Sequence, residues 1–194
     1  MSVNYYNQQA ATYYSATVDV DMQPVYQRFL PYLPEGGHIL DAGCGSGRDA
    51  KKFMDLGFKV TAFDASKELV NLAKQHSGLA IKHSTFIDFS TATPVNGIWA
   101  CASLLHLPLS ELAATLNHLA KFLVEGGAFY CSFKYGQNEI SRDGRHFTNL
   151  DETQLEQLIK NLPLTLAEYW ISGDLRPGRE QEAWLNAVLI KENQ

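Results

Sequence analysis

No apolar run in this 194-residue chain approaches the roughly 20 residues that a membrane-spanning helix needs, so no membrane partner is expected. Met1 to Tyr14 are polar and tyrosine-rich, without the basic start and apolar core of a secretory signal, and the mature chain is expected to stay in the cytoplasm. Cysteine is scarce. Cys44, Cys101 and Cys131 are odd in number and lie on apparent strands or a glycine turn, which argues for reduced thiols rather than a disulfide framework or a zinc site. Basic runs are missing too, and a net charge of −5 argues against a large nucleic-acid footprint. Internal repeats and low-complexity segments are absent. Apolar residues at 45% and charged residues at 19% are ordinary globular values, and the length suits one α/β domain, residues 1 to 194, better than two.

What the chain does have is a run from His38 to Arg48 in which an apolar strand enters a turn holding Gly43, Gly45 and Gly47. Glycines there adopt positive φ and let a nucleotide-like ligand approach bare backbone. About twenty residues on, Lys59 to Asp64 reads as a second strand closing on a carboxylate, where a ribose-binding acid belongs. A ribose-bearing cofactor follows. The dinucleotide fingerprint wants a small residue at position 48, and Arg48 stands there.

Strand-like and helix-like segments alternate almost throughout, the pattern of a parallel sheet covered on both faces. Helices are predicted over 19–32, 46–56 and 66 to about 78, the last capped by Ser66. Others are predicted from Ser110, as cap, to Leu123 and over 151–161. Strands are predicted over 38–43, 59–64, about 80–84, 97–102, 128–133, 165–172 and 183–191. Lys134 to Thr148, with Arg142, Arg145 and His146, reads as an ordered functional loop.

The GxGxG turn behind Leu40-Asp41-Ala42 resembles motif I of the class I S-adenosylmethionine (SAM) dependent methyltransferases. The likeness covers nearly the whole chain and narrows to small bacterial methyltransferases similar to the tellurite-resistance type. It is carried there by Tyr6, Ala10, Tyr13 and Thr17, by Ile39 to Ala50 and Val60 to Ser66, by Gly97 to His106, by Ser132 to Gly136, by Asp143-Gly144-Arg145, and by Arg176 to Arg179 with Trp184-Leu185-Asn186. The resemblance implies a three-layer Rossmann-like α/β fold with a mostly parallel seven-stranded sheet and an antiparallel last strand. It also implies SAM as cofactor and an N-terminal helical lid, residues 1 to 34. By position it implies that Asp41, Gly43, Gly45, Asp64, Ala65, Ser66 and Ser103 hold SAM, with Tyr13, Thr17 and Arg48 at the methionyl end. Adenine falls near Phe86 and Asp88. Many relatives keep an acid two residues after the third strand, where this chain has Thr85, so either Asp88 or the backbone of Phe86 takes the adenine amino group.

Methyl transfer is an in-line displacement in which orientation alone accounts for roughly 7–11 kcal/mol. A base is needed only for weak nucleophiles. His106, just past strand four, is the candidate, and it fits equally a strand-end histidine bonded to backbone. Lys134, Tyr135, Arg145 and Arg176 are the candidate substrate residues; Lys134, Arg142, Arg145, Arg176 and Arg179 form a cationic group that suits an anionic or oxyanion-like small molecule. The same charges also fit solvated loops. The strand-four tail lacks the Asn-Pro-Pro-aromatic signature of adenine and glutamine amino methyltransferases. Two other readings stay open: an NAD(P)-binding oxidoreductase, weakened by Arg48 and by the lack of a Tyr-xxx-Lys pair, and a SAM-binding protein without turnover. The acceptor atom and oligomeric state are not legible.

Overall fold

The computed structural model describes residues 2–192. Two short helices, α1 (Ser2–Gln8) and α2 (Ala10–Thr17), precede α3 (Gln23–Phe29) and a single 3-10 turn, Leu30–Tyr32. Repeating βα units follow: β1 (His38–Ala42), α4 (Arg48–Asp55), β2 (Lys59–Asp64), α5 (Lys67–Ser77), β3 (Lys82–His83) and β4 (Val95–Ala100). A 3-10 turn, Leu104–His106, leads to α6 (Leu109–Ala120), β5 (Leu123–Lys134), β6 (Glu139–Arg142) and β7 (Arg145–Thr148). The chain closes with α7 (Glu152–Ile159), β8 (Leu164–Gly173) and β9 (Ala183–Lys191).

Seven strands form one sheet in the order β3-β2-β1-β4-β5-β9-β8. β1 runs parallel to β2 and β4, β4 parallel to β5, and β9 antiparallel to both β5 and β8. This is the Rossmann-like α/β class expected, with the last strand reversed. Because β1 is covered on both faces, four of its five residues are buried, as a central parallel strand requires. One face of the sheet carries an aromatic core in which Trp99 stacks on Tyr130 at 4.0 Å between ring centres and Phe29 meets both. On the other, Phe63 and Phe89 stack at 4.4 Å among leucines of α6.

Local signals explain most boundaries. Ser66 Oγ accepts the Leu69 N–H at 3.3 Å and Gly78 ends α5 in the left-handed region. The helix predicted from residue 19 starts at 23, where Pro24 sits in the first turn that tolerates it. The helix predicted from Ser46 starts at Arg48, because Gly43, Gly45 and Gly47 all hold positive φ and keep the chain in a turn until then. Gly47 serves packing rather than a ligand: a Cβ there would stand 2.9 Å from the Ala73 Cβ, so its bareness lets α4 meet α5. Ser110 caps nothing; α6 begins one residue earlier, behind Pro108. The segment 134–148 holds a hairpin rather than a loop, β6 pairing with β7 from Glu139↔Thr148 to Arg142↔Arg145. Asp143 and Gly144 both take positive φ at its tip, the turn for which Asp-Gly is suited.

Candidate functional site

The carboxyl ends of β1, β2 and β4 open beneath α1 and α2, where an open α/β sheet places its ligands. Two cavities lie there. The larger, about 530 Å³, is bordered by Gly43 and Gly45 on the turn and by Asp64, Ala65 and Ser66 after β2. Phe86 and Asp88 close one side and Ser103 another. The smaller, about 130 Å³, is bordered by Thr17, Arg48, Cys101, Lys134, Arg145 and Arg176, among others. Tyr6, Tyr13, Ala102 and His106 border both.

Asp64 organises the larger cavity. Its carboxylate accepts the Gly45 N–H at 2.9 Å on one oxygen and the Ser66 N–H at 2.8 Å on the other, which fixes its plane and leaves lone pairs for hydroxyls. Burial outweighs those bonds and pushes its pKa above the usual carboxylate value. Ser103 Oγ donates to the Ala42 carbonyl at 2.7 Å, and Asp88 accepts from Thr85 Oγ1 at 2.5 Å. Asp41 stands behind this wall, bordering neither cavity. Its Oδ2 is buried without a hydrogen-bond partner, and burial together with the charge of Asp49 pushes its pKa well up.

The roof is tied down at several points. Tyr13 lies over the turn, its ring 3.1 Å from where a Cβ on Gly45 would be. Asn7 Oδ1 accepts Ser66 Oγ–H at 2.7 Å, and Ser2 Oγ accepts the His146 N–H at 3.1 Å. Arg48 donates to the Thr17 carbonyl at 3.2 Å while its Nε and second terminal nitrogen clasp Asp49 at 2.7 and 2.9 Å. Asp49 is itself buried and also accepts from Tyr26 Oη and from Trp99 Nε1 at 2.8 Å. Of the N-terminal segment expected as a lid, α1 and α2 cover the cavities. α3 belongs mainly to the core, with Phe29 fully buried, and only Val25 of that helix reaches the smaller cavity.

His106 has both ring nitrogens engaged. Nδ1 meets the His146 carbonyl at 2.7 Å, which can only accept, so Nδ1 carries the proton and Nε2 accepts from Tyr6 Oη at 2.7 Å. Burial pushes this imidazole down to about 4 and the Tyr6 phenol up to about 12, so both are neutral at pH 7. Burial likewise lifts the Cys101 thiol to about 12, which keeps it protonated.

Lys134, Arg145 and Arg176 all reach the smaller cavity, and Arg179 joins them. Tyr135 does not. Successive residues of an extended strand face opposite ways, so with Lys134 inward Tyr135 is exposed, bonded to Glu152 at 3.1 Å. Arg142 also stays outside, at the hairpin tip beside Asp143. Asp174, Trp184, Asn186 and Tyr6 are among the other residues that border the smaller cavity. Of these, Asp174 was readable in principle, since an acid two residues before Arg176 in a tight turn is placed to pair with it, which it does.

A family model described as a methyltransferase domain matches residues 14–168, and the chain belongs to that family. A ubiquinone biosynthesis O-methyltransferase of Xanthomonas axonopodis pv. citri is 31% identical over 106 residues, 51% of this chain and 44% of that protein. One from Methylocella silvestris is 42% identical over 59 residues, 29% of this chain and 23% of that protein. The chain thus spans less than half the length of these relatives. An uncharacterized methyltransferase of Staphylococcus carnosus is 24% identical over 193 residues, 90% of this chain and 93% of its own. Among solved structures, a Burkholderia thailandensis 1,6-didemethyltoxoflavin-N1-methyltransferase with bound 1,6-didemethyltoxoflavin and S-adenosylhomocysteine superposes with a TM-score of 0.82 at 19% identity, over 99% of this chain and 88% of that one. The N-methyltransferase NodS of Bradyrhizobium japonicum, in complex with S-adenosylhomocysteine, gives 0.73 at 17%, over 96% and 98%.

Proposed function

We propose that this protein transfers the methyl group of SAM to a small, anionic acceptor, the adenosyl part lying in the larger cavity and the acceptor in the smaller. The observation that carries this is the meeting of the two cavities at Tyr6, Tyr13, Ala102 and His106, directly above the glycine turn and beside Asp64. When bound, SAM supplies an electrophilic methyl on a sulfonium. The residues fit it: Asp64 faces the larger cavity with free lone pairs, and Gly43 and Gly45 leave the turn beside it bare.

On this reading Asp64 holds the ribose hydroxyls, and Gly43 and Gly45 present bare backbone to the sulfonium arm. Ala65, Ser66 and Ser103 line its path, and Phe86 with Asp88 flank the adenine. Tyr13, which borders both cavities, encloses the methionyl end, whereas Thr17 and Arg48, expected beside it, lie on the smaller cavity instead, and residues 2–17 act as the lid of a single methyltransferase domain, 1–194. His106 keeps Tyr6 oriented at the junction. The finer kinship proposed is with the small tellurite-resistance-type enzymes, and the reduced state of the three cysteines fits work in the cytoplasm. Titration calorimetry tests the reading: SAM and S-adenosylhomocysteine are expected to release heat with one site per chain and NAD none. Heat from NAD instead would move the chain to the oxidoreductase reading, and SAM binding without single-turnover transfer to a panel of thiols, oxyanions and carboxylic acids would leave it a binding protein.

A further inference from the structure

The cations around the smaller cavity are unequal. Arg176 is consumed by Asp174, through its backbone N–H and its Nε at 2.9 Å and a second guanidinium contact, and Trp184 Nε1 donates to the same carboxylate at 3.2 Å. Arg48 is consumed by Asp49. Lys134 and Arg179 share Glu182, at 2.5 and 2.6 Å, so that trio keeps a positive excess. Arg145 differs from all of these. Its charged partner is Asp143 at 3.5 Å, a side chain 64% exposed at the hairpin tip, whereas Arg145 itself is only 16% exposed. Its Nε is buried with no hydrogen-bond partner among the described residues.

The position of that guanidinium is also fixed. Its carbon lies 4.2 Å from the centre of the Tyr5 ring and 5.2 Å from that of Phe147, so two aromatic rings border it. Phe147 in turn packs against His106 at 5.1 Å, and Lys134 Nζ lies 5.2 Å from the centre of the same Phe147 ring. Arg145 therefore sits beside the junction of the two cavities, close enough to Tyr6 to pull that phenol's pKa down against its burial, with Asp143 as a long contact and Nε unspent. Among the described residues nothing at that junction offers a free base: the His106 lone pair is taken by Tyr6, and Cys101 is a buried thiol in a wall beside the Asp49 carboxylate.

We infer that the methyl acceptor enters as an anion whose charged atom is itself the nucleophile, that Arg145 holds and selects that charge, and that the chain supplies no general base. The inference rests on the methyltransferase reading above. The acceptor's anionic lone pair forms the bond to the methyl carbon as the carbon–sulfur bond breaks, its electron pair remaining on sulfur. One negative and one positive charge become two neutral products, and no proton moves. The product then lacks the charge that held it, and Arg145 favours its release. A cavity of about 130 Å³ suits a molecule near the size of one six-membered ring.

The test uses the full-length protein loaded with S-adenosylhomocysteine and titrated with benzoate, with benzamide as its neutral isostere and with methyl benzoate. Benzoate is expected to bind roughly tenfold or more tighter than either neutral compound. Arg145→Gln is expected to erase the difference and Arg145→Lys to retain part of it, with S-adenosylhomocysteine affinity unchanged in both. Equal binding of benzoate and benzamide, a preference that survives Arg145→Gln, or no binding of benzoate at millimolar concentration overturns the inference. Failure of S-adenosylhomocysteine to bind the wild type overturns the methyltransferase reading instead. Unchanged cofactor binding by the variants shows that they fold, so lost selectivity is then assigned to the guanidinium.

Discussion

Asp64 accepts the backbone N–H of Gly45 at 2.9 Å, a bond that ties the end of β2 to the turn after β1 and sets the carboxylate facing the larger cavity. Asp64→Ala is expected to weaken SAM binding by on the order of 2 kcal/mol, about thirtyfold, the loss usual for hydrogen bonds to a charged group. Calorimetry decides it, and unchanged affinity removes Asp64 from the ribose. Asp64→Asn, which keeps one acceptor oxygen for the turn, is expected to lose less.

Two glycines two residues apart give a sharper contrast. Gly47→Ala puts a Cβ 2.9 Å from Ala73 at a φ of 78°, and is expected to lower stability by about 1–3 kcal/mol with SAM affinity in the surviving fold little changed. Gly45→Ala carries the strain of a φ of 54° but presses on the Tyr13 ring of the roof rather than on a neighbouring helix, and its larger effect is expected on SAM affinity. Urea titration and calorimetry on the pair settle this, and a reversed pattern would undo the roles given to the turn.

Asp49 joins α3, α4 and β4 through Tyr26, Arg48 and Trp99. Asp49→Ala strands a buried guanidinium, and breaking such a pair costs about 3–5 kcal/mol. For a chain of this size that lowers Tm by roughly 10 °C. A melting shift of a degree or two would mean that Arg48 finds another partner.

Acid should expose the state of His106. Its folded pKa is pushed from 6.5 down to about 4 by burial, so between those values the unfolded chain binds a proton that the folded chain refuses. The contribution of this ring is whole above pH 6.5 and falls on acidification toward pH 4, by at most ~1.4 kcal/mol per unit. Asp41 and Asp64, raised by burial, act in the opposite sense, losing stability as pH rises from their unfolded value. The measurement is therefore a difference: the stability gap between wild type and His106→Gln is expected to narrow from pH 7 to pH 5. A constant gap refutes the neutral buried ring.

What could be read from the sequence was local. β2 runs over 59–64 as predicted, and the Ser66 and Gly78 caps lie within a few residues of the helix they bound. The glycine turn and Asp64 belong to one βαβ unit, so their spacing alone brings them together. What escaped needed distant partners. Tyr6 and His106 are 100 residues apart, and their bond depends on how α1 crosses the sheet end. The difference between Arg145 and Arg176 lies in their carboxylates, and charge patterning gives residue types without pairings. Tyr135 and the hairpin were missed differently: strand alternation and the Asp143-Gly144 dipeptide both carried the information.

The ties on α1 run to both flanks of the site, from Ser2 to the hairpin strand that bears Arg145 and from Asn7 to the cap of α5 beside Asp64. A guest that shifts the hairpin therefore tugs on the nucleotide side through one short helix. Occupancy of either chamber is then expected to alter affinity in the other, and by the same factor in both directions.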